Sequence, residues 1–220
     1  MKLTKGYLAA IVIIAVILID QILKIWVKTH FFYGEELLIT DWFRLFFIEN
    51  NGMAFGFEFG SKLLLTWFRI IAVALFIYYI IKIKGLNVIK RGYIVCLSLI
   101  TAGAAGNVID CIFYGLIFNN PSYPEVATMF PPDGGYSTLF HGRVVDMLYF
   151  PLASWDWPNW IPYIGGDHFI FFQPIFNIAD AALSVGVVIL ILFYSSSLSI
   201  PVKQEVKKEN DESSETSKDD

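Results

Sequence analysis

The amino-acid sequence predicts an all-α integral membrane protein with four transmembrane helices, a small extracytoplasmic β-hairpin and long outer loops. Hydrophobic residues make up 56% of the chain and charged residues only 16%, whereas a soluble domain carries roughly 25% charge. The apolar residues are concentrated in four stretches, each close to the roughly 20 residues that a helix needs to cross a bilayer. These stretches are residues 6–28, 62–82, 92–116 and 174–198.

The first apolar stretch has the charge pattern of a secretory signal, because Lys2 and Lys5 precede the apolar run from Tyr7 to Ile19. No small-residue cleavage site follows the run, and the helical pattern continues to Trp26. We therefore interpret this stretch as a retained first transmembrane helix.

The basic residues predict the orientation of the helices. The short connection between the second and third stretches has four basic residues from Lys82 to Arg91, whereas the long segment 117–173 has only Arg143. Cytoplasmic loops of membrane proteins are enriched in Lys and Arg. We expect this connection and both termini to be cytoplasmic, and segments 29–61 and 117–173 to lie outside.

Residues 1–200 are predicted to form one polytopic membrane domain, followed by an acidic cytoplasmic tail over 201–220. The tail lacks the apolar residues that would offset the entropy cost of ordering, so we expect it to be disordered. In the first outer segment, Leu37 to Ile48 is rich in aromatic and β-branched residues with a turn near Asp41, which predicts a hairpin on the membrane surface.

Several common functional classes are excluded by the sequence. There is no basic field to attract nucleic acid. The two cysteines, Cys96 and Cys111, lie in one apolar stretch and support neither a disulfide framework nor a metal site. The HExxH, GxSxG and P-loop motifs are absent. We therefore expect neither a metal nor a cofactor.

Three aspartates occur inside the predicted helices at a common depth. Asp20, Asp110 and Asp180 each lie about six to eight residues from the outer end of a helix, which is roughly 9–12 Å at 1.5 Å per residue. Asn107 and Asn177 each precede one of these aspartates by three residues, so each amide shares a helix face with a carboxylate.

Asp146, where the long outer loop returns to the membrane, could join the same cluster. Ionisable groups inside a membrane are costly and usually functional. Like charges in a low dielectric cannot all ionise, and two carboxylates that share a proton are the basis of aspartyl proteolysis. Helical spacing alone favours Asp110 with Asp180 as the pair.

Other interpretations of the buried polar residues stay open at this point. Asn and Asp side chains also lock transmembrane helices together by hydrogen bonds. Asp20 and Lys24 have the i,i+4 spacing of an ion pair, which is as compatible with the pattern as a catalytic role. A proton-coupled transporter or channel would also place Asp and Lys inside the membrane, although no inverted repeat or broken helix is detectable.

Five motifs in order resemble those of the bacterial lipoprotein signal peptidases, also called signal peptidase II. The residues that carry the resemblance lie in all four helices and in both outer segments. They are Asp20-Gln21-Ile22-Leu23-Lys24, Asn50-Asn51-Gly52-Met53-Ala54-Phe55, the glycine-rich run from Gly103 to Asn107 and Asp110, Val144-Val145-Asp146, and Phe176-Asn177-Ile178-Ala179-Asp180.

The resemblance implies an intramembrane aspartyl endopeptidase whose catalytic dyad is Asp146 with Asp180. The implied substrates are prolipoproteins whose cysteine carries diacylglycerol, cut just before that cysteine at the outer leaflet of the bacterial cytoplasmic membrane. The implied partners are this substrate and membrane lipids, with a monomer favoured. The residues implied to shape the site or bind substrate are Asp20, Lys24, Asn50, Gly52, Asn107, Asp110, Arg143, Asn177 and Ala179.

The chain departs from the family pattern in two respects. Cys111 stands where the family has an arginine beside the aspartate, and we hypothesise that Arg143 takes over as the charge partner of Asp110. We expect Cys111 itself to be a buried apolar residue. The chain also has insertions at 117–142 and 151–173, and the tryptophans of the second insertion suit the lipid headgroup zone.

Overall fold

A computed structural model describes residues 3–50 and 62–199 of the chain. In these ranges, four helices are long and apolar enough to cross a membrane. They are α1 (Lys5–His30), α2 (Lys62–Ile83), α3 (Arg91–Ile109, continued to Ile117 by further helical turns) and α4 (Ile178–Tyr194). The protein is a multi-pass membrane protein, as the four apolar stretches predicted.

Two helix boundaries carry information about the fold. The third helix changes to a π-helical turn over Asp110–Tyr114 before a final turn at Gly115–Ile117. Such turns are rare in proteins, and many of those that occur lie at functional sites. The fourth helix begins at Ile178, four residues later than the predicted 174, because Ile175–Phe176 forms a short strand instead.

The main sheet has four antiparallel strands. The predicted hairpin is present as β1 (Glu36–Thr40) and β2 (Phe43–Asn50). The strand β3 (Val144–Tyr149) pairs with β2, and β6 (Ile175–Phe176) pairs with β3. An all-α class is therefore incomplete, since sheets accompany the helices.

A second sheet lies in the 151–173 insertion, where the sequence predicts only a long outer loop. It pairs β4 (Ala153–Asp156) with β5 (His168–Phe171), and the ring of Trp155 packs on Phe169 with centroids 4.7 Å apart. The insertion at 117–142 is mostly irregular, with an isolated bridge between Phe118 and Met129.

The chain divides into two compact units, each with an apolar core. Unit 1 comprises residues 1–18, 68–105 and 179–220, and unit 2 comprises 19–67 and 106–178. The core of unit 1 is centred on Ile83, Tyr93, Ile94 and Leu97, and that of unit 2 on Val27, Phe118, Val145 and Met147.

Two predictions fall outside the described residues. Gly52 and the rest of the Asn51–Phe55 motif lie there, and so does the acidic tail over 201–220. The single-domain assignment, the sidedness of the helices and the oligomeric state stay predictions.

Candidate active site

Asp146 lies near the middle of β3 and is held by two amide side chains. Asn177 Nδ2 donates to Asp146 Oδ1 at 2.6 Å, and Asn50 Nδ2 donates to Asp146 Oδ2. The aspartate is only 2% exposed. Because each carboxylate oxygen accepts an amide N–H, the orientation of this carboxylate is fixed from two sides.

The strand pairing explains why these amides meet Asp146. Ile48 of β2 is paired with Asp146, and Asn50 follows two residues later on the same face of the sheet. From the other side, Phe176 is paired with Leu148 of β3, which brings the next residue, Asn177, back along the strand toward Asp146.

Lys24 is the centre of a buried charge cluster on α1 and α3. Its Nζ lies 2.9 Å from Asp20 Oδ2 and 2.8 Å from Asp110 Oδ2, and it donates to Asn107 Oδ1 at 2.9 Å. All three charged side chains are 0% exposed. The ion pair predicted from the i,i+4 spacing of Asp20 and Lys24 is therefore present, and Asp110 joins it.

Gln21 belongs to the same cluster, although sequence reasoning did not select it. Its Nε2 donates to Asp110 Oδ1 at 2.9 Å and to Asp20 Oδ2 at 3.2 Å. Its Oε1 accepts from the hydroxyl of Tyr114 at 3.1 Å. The signal was available, since Gln21 lies beside Asp20 in a helix that is otherwise almost entirely apolar.

Two hydrogen bonds connect the Lys24 cluster to the strand that carries Asp146. Asn107 Oδ1 accepts from Asn177 Nδ2 at 3.1 Å as well as from Lys24. The backbone N–H of Val145 donates to Asp110 Oδ2 at 3.2 Å. Asp110 therefore accepts hydrogen bonds from a lysine, a glutamine and a backbone amide. The last of these bonds holds β3 in place against the Lys24 cluster.

The approach of the outer loop to α3 requires a glycine at position 142. Gly142 N donates to Cys111 O at 2.8 Å, and a Cβ placed on Gly142 would lie 2.0 Å from the carbonyl oxygen of Asp110. This close contact fixes where β3 begins, two residues before Asp146.

The hypothesis that Arg143 is the charge partner of Asp110 is wrong. Arg143 Nη1 lies 3.2 Å from Glu49 Oε2 and donates to Asn120 Oδ1 at 2.9 Å. The ammonium group of Lys24 occupies the position beside Asp110 instead. Cys111 is 1% exposed, as expected of a buried apolar residue.

Lys28 and Glu49 are charged residues that sequence reasoning missed. Lys28 Nζ forms an ion pair with Glu49 Oε1, and both side chains are almost completely buried. Lys28 lies in the last turn of α1, where a lysine commonly reaches out to the membrane surface, so its position gave no reason to expect burial.

Asp180 and Ala179 lie in the first turn of α4 and belong to unit 1. Asp180 is partly buried. Ala179 is fully buried, and its carbonyl oxygen would lie 2.3 Å from a Cβ on Gly103, so that α3 and α4 approach closely there. In the sequence, Asp180 follows Asn177 by three residues.

Comparison with known proteins identifies the family of this chain. A profile described as signal peptidase (SPase) II matches residues 12–195. The chain belongs to the signal peptidase II family. This match includes α1 from residue 12 onward, the main sheet and α4, and therefore every site residue described above.

Curated relatives of the signal peptidase II family extend over most of the chain. A lipoprotein signal peptidase of Porphyromonas gingivalis is 46% identical over 199 residues, which cover 90% of this chain and 88% of the relative. A lipoprotein signal peptidase of Amoebophilus asiaticus is 39% identical over 209 residues, which cover 92% of this chain and 83% of the relative.

Solved structures share the fold. A bacterial membrane enzyme solved by the in meso method at 2.3 Å resolution superposes with a TM-score of 0.55 at 24% identity, covering 88% of this chain and 92% of that chain. Another, at 1.9 Å resolution, gives a TM-score of 0.54 at 23% identity, covering 84% and 90% of the two chains.

Proposed function

We propose that this protein is an intramembrane aspartyl endopeptidase that removes signal peptides from diacylglyceryl-modified prolipoproteins, cutting just before the lipid-bearing cysteine. The observation that carries the proposal is the clamped carboxylate of Asp146. A carboxylate that is buried, oriented by two amides and braced through its own strand is typical of a reacting group.

Asp146 and Asp180 form the dyad in this proposal. Both oxygens of Asp146 accept hydrogen bonds from amide N–H groups. If one of these oxygens were protonated, its O–H would face another donor, which is unfavourable. We therefore assign the shared proton to Asp180 and the role of base to Asp146. The family motif Phe176–Asp180 and the three-residue separation of Asn177 from Asp180 support the pairing.

The chemistry needs only the two carboxyls and a water molecule. Asp146 accepts a proton from the water as its oxygen attacks the scissile carbonyl, and Asp180 donates its proton to the carbonyl oxygen. As the tetrahedral intermediate collapses, the C–N bond breaks, the leaving amine of the cysteine takes the proton from Asp146, and a hydroxyl of the intermediate returns a proton to Asp180. Asn50 and Asn177 keep Asp146 aligned throughout, and Lys24 with Asp110 holds the strand.

The location of the site follows from the orientation cues of the sequence. The basic residues between α2 and α3 support a cytoplasmic position for that connection. The sheet and Asp146 then lie toward the outer leaflet of the cytoplasmic membrane. The acyl chains of the substrate can stay in lipid while its peptide reaches the aspartates.

Cleavage of a synthetic diacylglyceryl lipopeptide by the full-length protein in detergent tests the proposal. We expect cleavage on the amino side of the lipid-bearing cysteine, unaffected by EDTA or serine reagents. Asp146→Asn and Asp180→Asn should each lower kcat by at least about 10⁴-fold. The exposed Asp133 provides the matched control, since Asp133→Asn should keep wild-type turnover.

Three outcomes would contradict the proposal. Normal turnover by either dyad variant would remove the assigned residue from the reaction. Ion or solute flux in liposomes without peptidase activity would favour a transporter. Loss of folding in both aspartate variants, with no cleavage by the wild type, would favour a scaffold of locked helices.

A further inference from the structure

A second buried charge cluster lies behind the sheet that carries Asp146. Glu49 of β2 forms ion pairs with two cations, Lys28 through Oε1 and Arg143 through Oε2, the latter at 3.2 Å. The side chain of Glu49 is 5% exposed and that of Lys28 is 3% exposed. One carboxylate therefore joins the last turn of α1 to the residue that precedes β3.

The cluster and the Asp146 carboxylate are on opposite faces of the sheet. Glu49 is paired with Val145, and Ile48 with Asp146. Successive side chains on a strand alternate between faces, so Glu49 faces away from Asn50 and Asp146. A substrate at Asp146 is accordingly on the other side of the strands from Glu49.

Aromatic rings complete the surroundings of the two cations. Lys28 Nζ lies 5.1 Å from the Phe118 ring centroid and 5.3 Å from that of Tyr136. The guanidinium carbon of Arg143 lies 4.9 Å from the Tyr136 centroid. Burial raises the pKa of the Tyr136 phenol well above its usual value, so the ring stays neutral between the cations. Cations bind favourably over such aromatic faces.

Stability alone does not explain a buried cluster of this kind. The desolvation of buried charges can cancel their attraction, and apolar residues of similar volume often stabilise a fold as well or better. What the ion pairs add is a fixed geometry. They connect α1, the end of β2 and the start of β3, the two strands that supply Asn50 and Asp146.

We propose that Glu49 is a positioning residue, which through Lys28 and Arg143 holds the end of β2 so that Asn50 keeps its hydrogen bond to Asp146. The inference rests on the proposed peptidase function. Asn50 is the last residue of β2 and directly follows Glu49. Without the ion pairs, this strand end is free to fray, and a misplacement of about 1 Å can cost about a hundredfold in rate.

The test uses lipopeptide cleavage by the full-length protein, with kcat corrected for the folded fraction at the assay temperature. Glu49→Gln keeps the shape of the side chain and removes its charge. We expect kcat to fall about tenfold to a hundredfold while KM stays within about twofold, because Glu49 does not contact substrate. Arg143→Gln should lower kcat in the same way, and Arg143→Lys should recover most of it.

The double variant and a matched control sharpen the test. Glu49→Gln with Arg143→Gln should lower kcat no further than the more impaired single variant, because both substitutions remove the same Glu49–Arg143 ion pair. Arg44→Gln breaks the solvent-accessible ion pair between Arg44 of β2 and Glu36 of β1 and should keep wild-type kcat. The pH profile of kcat in Glu49→Gln should fall in height with both limbs unmoved.

The inference and the proposed function fail in distinguishable ways. If the wild type cleaves no lipopeptide, the proposed function fails. If the wild type cleaves and Glu49→Gln changes only thermal stability, raises KM alone or moves a limb of the pH profile, Glu49 is not a positioning residue. If Glu49→Gln does not fold, the comparison of Arg143→Gln with Arg143→Lys decides, and equal kcat values would overturn the inference.

Discussion

The two compact units differ in what they bury. In unit 1, the hydroxyls of buried Ser98 and Thr101 each donate to a backbone carbonyl four residues earlier in the same helix, at 2.7 Å, and the surrounding core is apolar. Unit 2 buries at least three acids and two lysines. Each buried charge needs a partner in a low dielectric. The structure of unit 2 therefore depends on specific ion pairs and hydrogen bonds, whereas that of unit 1 depends on apolar packing.

This difference predicts that matched substitutions in the two units have different effects on kcat and on stability. In unit 2, substitutions should affect kcat, because its polar contacts lead to Asp146. In unit 1, substitutions of similar size should affect stability alone. The exception is Asp180, which is assigned to unit 1 and which we place in the dyad.

Loss of the Lys24 ammonium should have the largest effect. Lys24→Met leaves Asp20 and Asp110 buried without their cation, which should cost about 3–5 kcal/mol of stability. Lys82→Met removes an exposed lysine at the end of α2 and should change the unfolding free energy by less than about 0.5 kcal/mol. Thermal unfolding in detergent measures both, and equal melting temperatures would break the comparison.

Asn177→Ala should have the next largest effect. The variant removes the donor to Asp146 Oδ1 and the bond to Asn107, so we expect kcat to fall about a hundredfold, or about 2.7 kcal/mol in the barrier. Its counterpart in unit 1, Ser98→Ala, removes a bond within one helix and should leave kcat unchanged. A similar loss of kcat in both variants would contradict the separation.

Two glycine substitutions test close packing in the two units. A Cβ on Gly142 would meet the carbonyl oxygen of Asp110, and a Cβ on Gly186 would lie 2.9 Å from that of Cys96. Each change to Ala should cost about 1–3 kcal/mol of stability. Only Gly142→Ala should also lower kcat of the folded enzyme, about tenfold, because it moves the start of β3.

The smallest effect should come from two tyrosine hydroxyls. Tyr136 Oη accepts from the backbone N–H of Arg143 at 2.6 Å, whereas the hydroxyls of Tyr93 and Tyr79 lie 3.1 Å apart in unit 1. Tyr136→Phe and Tyr93→Phe should each cost about 1 kcal/mol of stability. Only Tyr136→Phe should also lower kcat, by about twofold to fivefold. Steady-state kinetics of the two variants measures this difference, and equal kcat values would contradict it.

The helices and the local hairpin were predictable because their signals are local. The four apolar stretches and the run of aromatic and β-branched residues around Asp41 depend on neighbours within about 20 residues. The pairing of β2 with β3 joins residues about a hundred positions apart, and the sequence of β3 is a mostly apolar run that gives no sign of its partner. The position of β3 beside Asn50 could therefore not be predicted from the sequence.

The partners of the buried charges were predictable only within one helix. The i,i+4 spacing gave the Asp20–Lys24 pair, since helix geometry fixes that contact. Whether Lys24 or Arg143 reaches Asp110 depends on how α1 packs against α3 and on where Gly142 lets the loop approach. The burial of Glu49 was not predictable, because its two partners lie at the end of a helix and in a loop, both distant from it in sequence.

The most direct test of the central claim is whether residues 146 and 180 meet. In a Cys96→Ala, Cys111→Ala background, Asp146→Cys with Asp180→Cys should be joined by a short bifunctional thiol reagent, so that the fragments stay together after cleavage at a protease site inserted between residues 165 and 166. Asn107→Cys with Asn177→Cys is the matched control, because these side chains are bonded at 3.1 Å. We expect efficient joining of both pairs; joining of the control pair alone would contradict the aspartyl dyad.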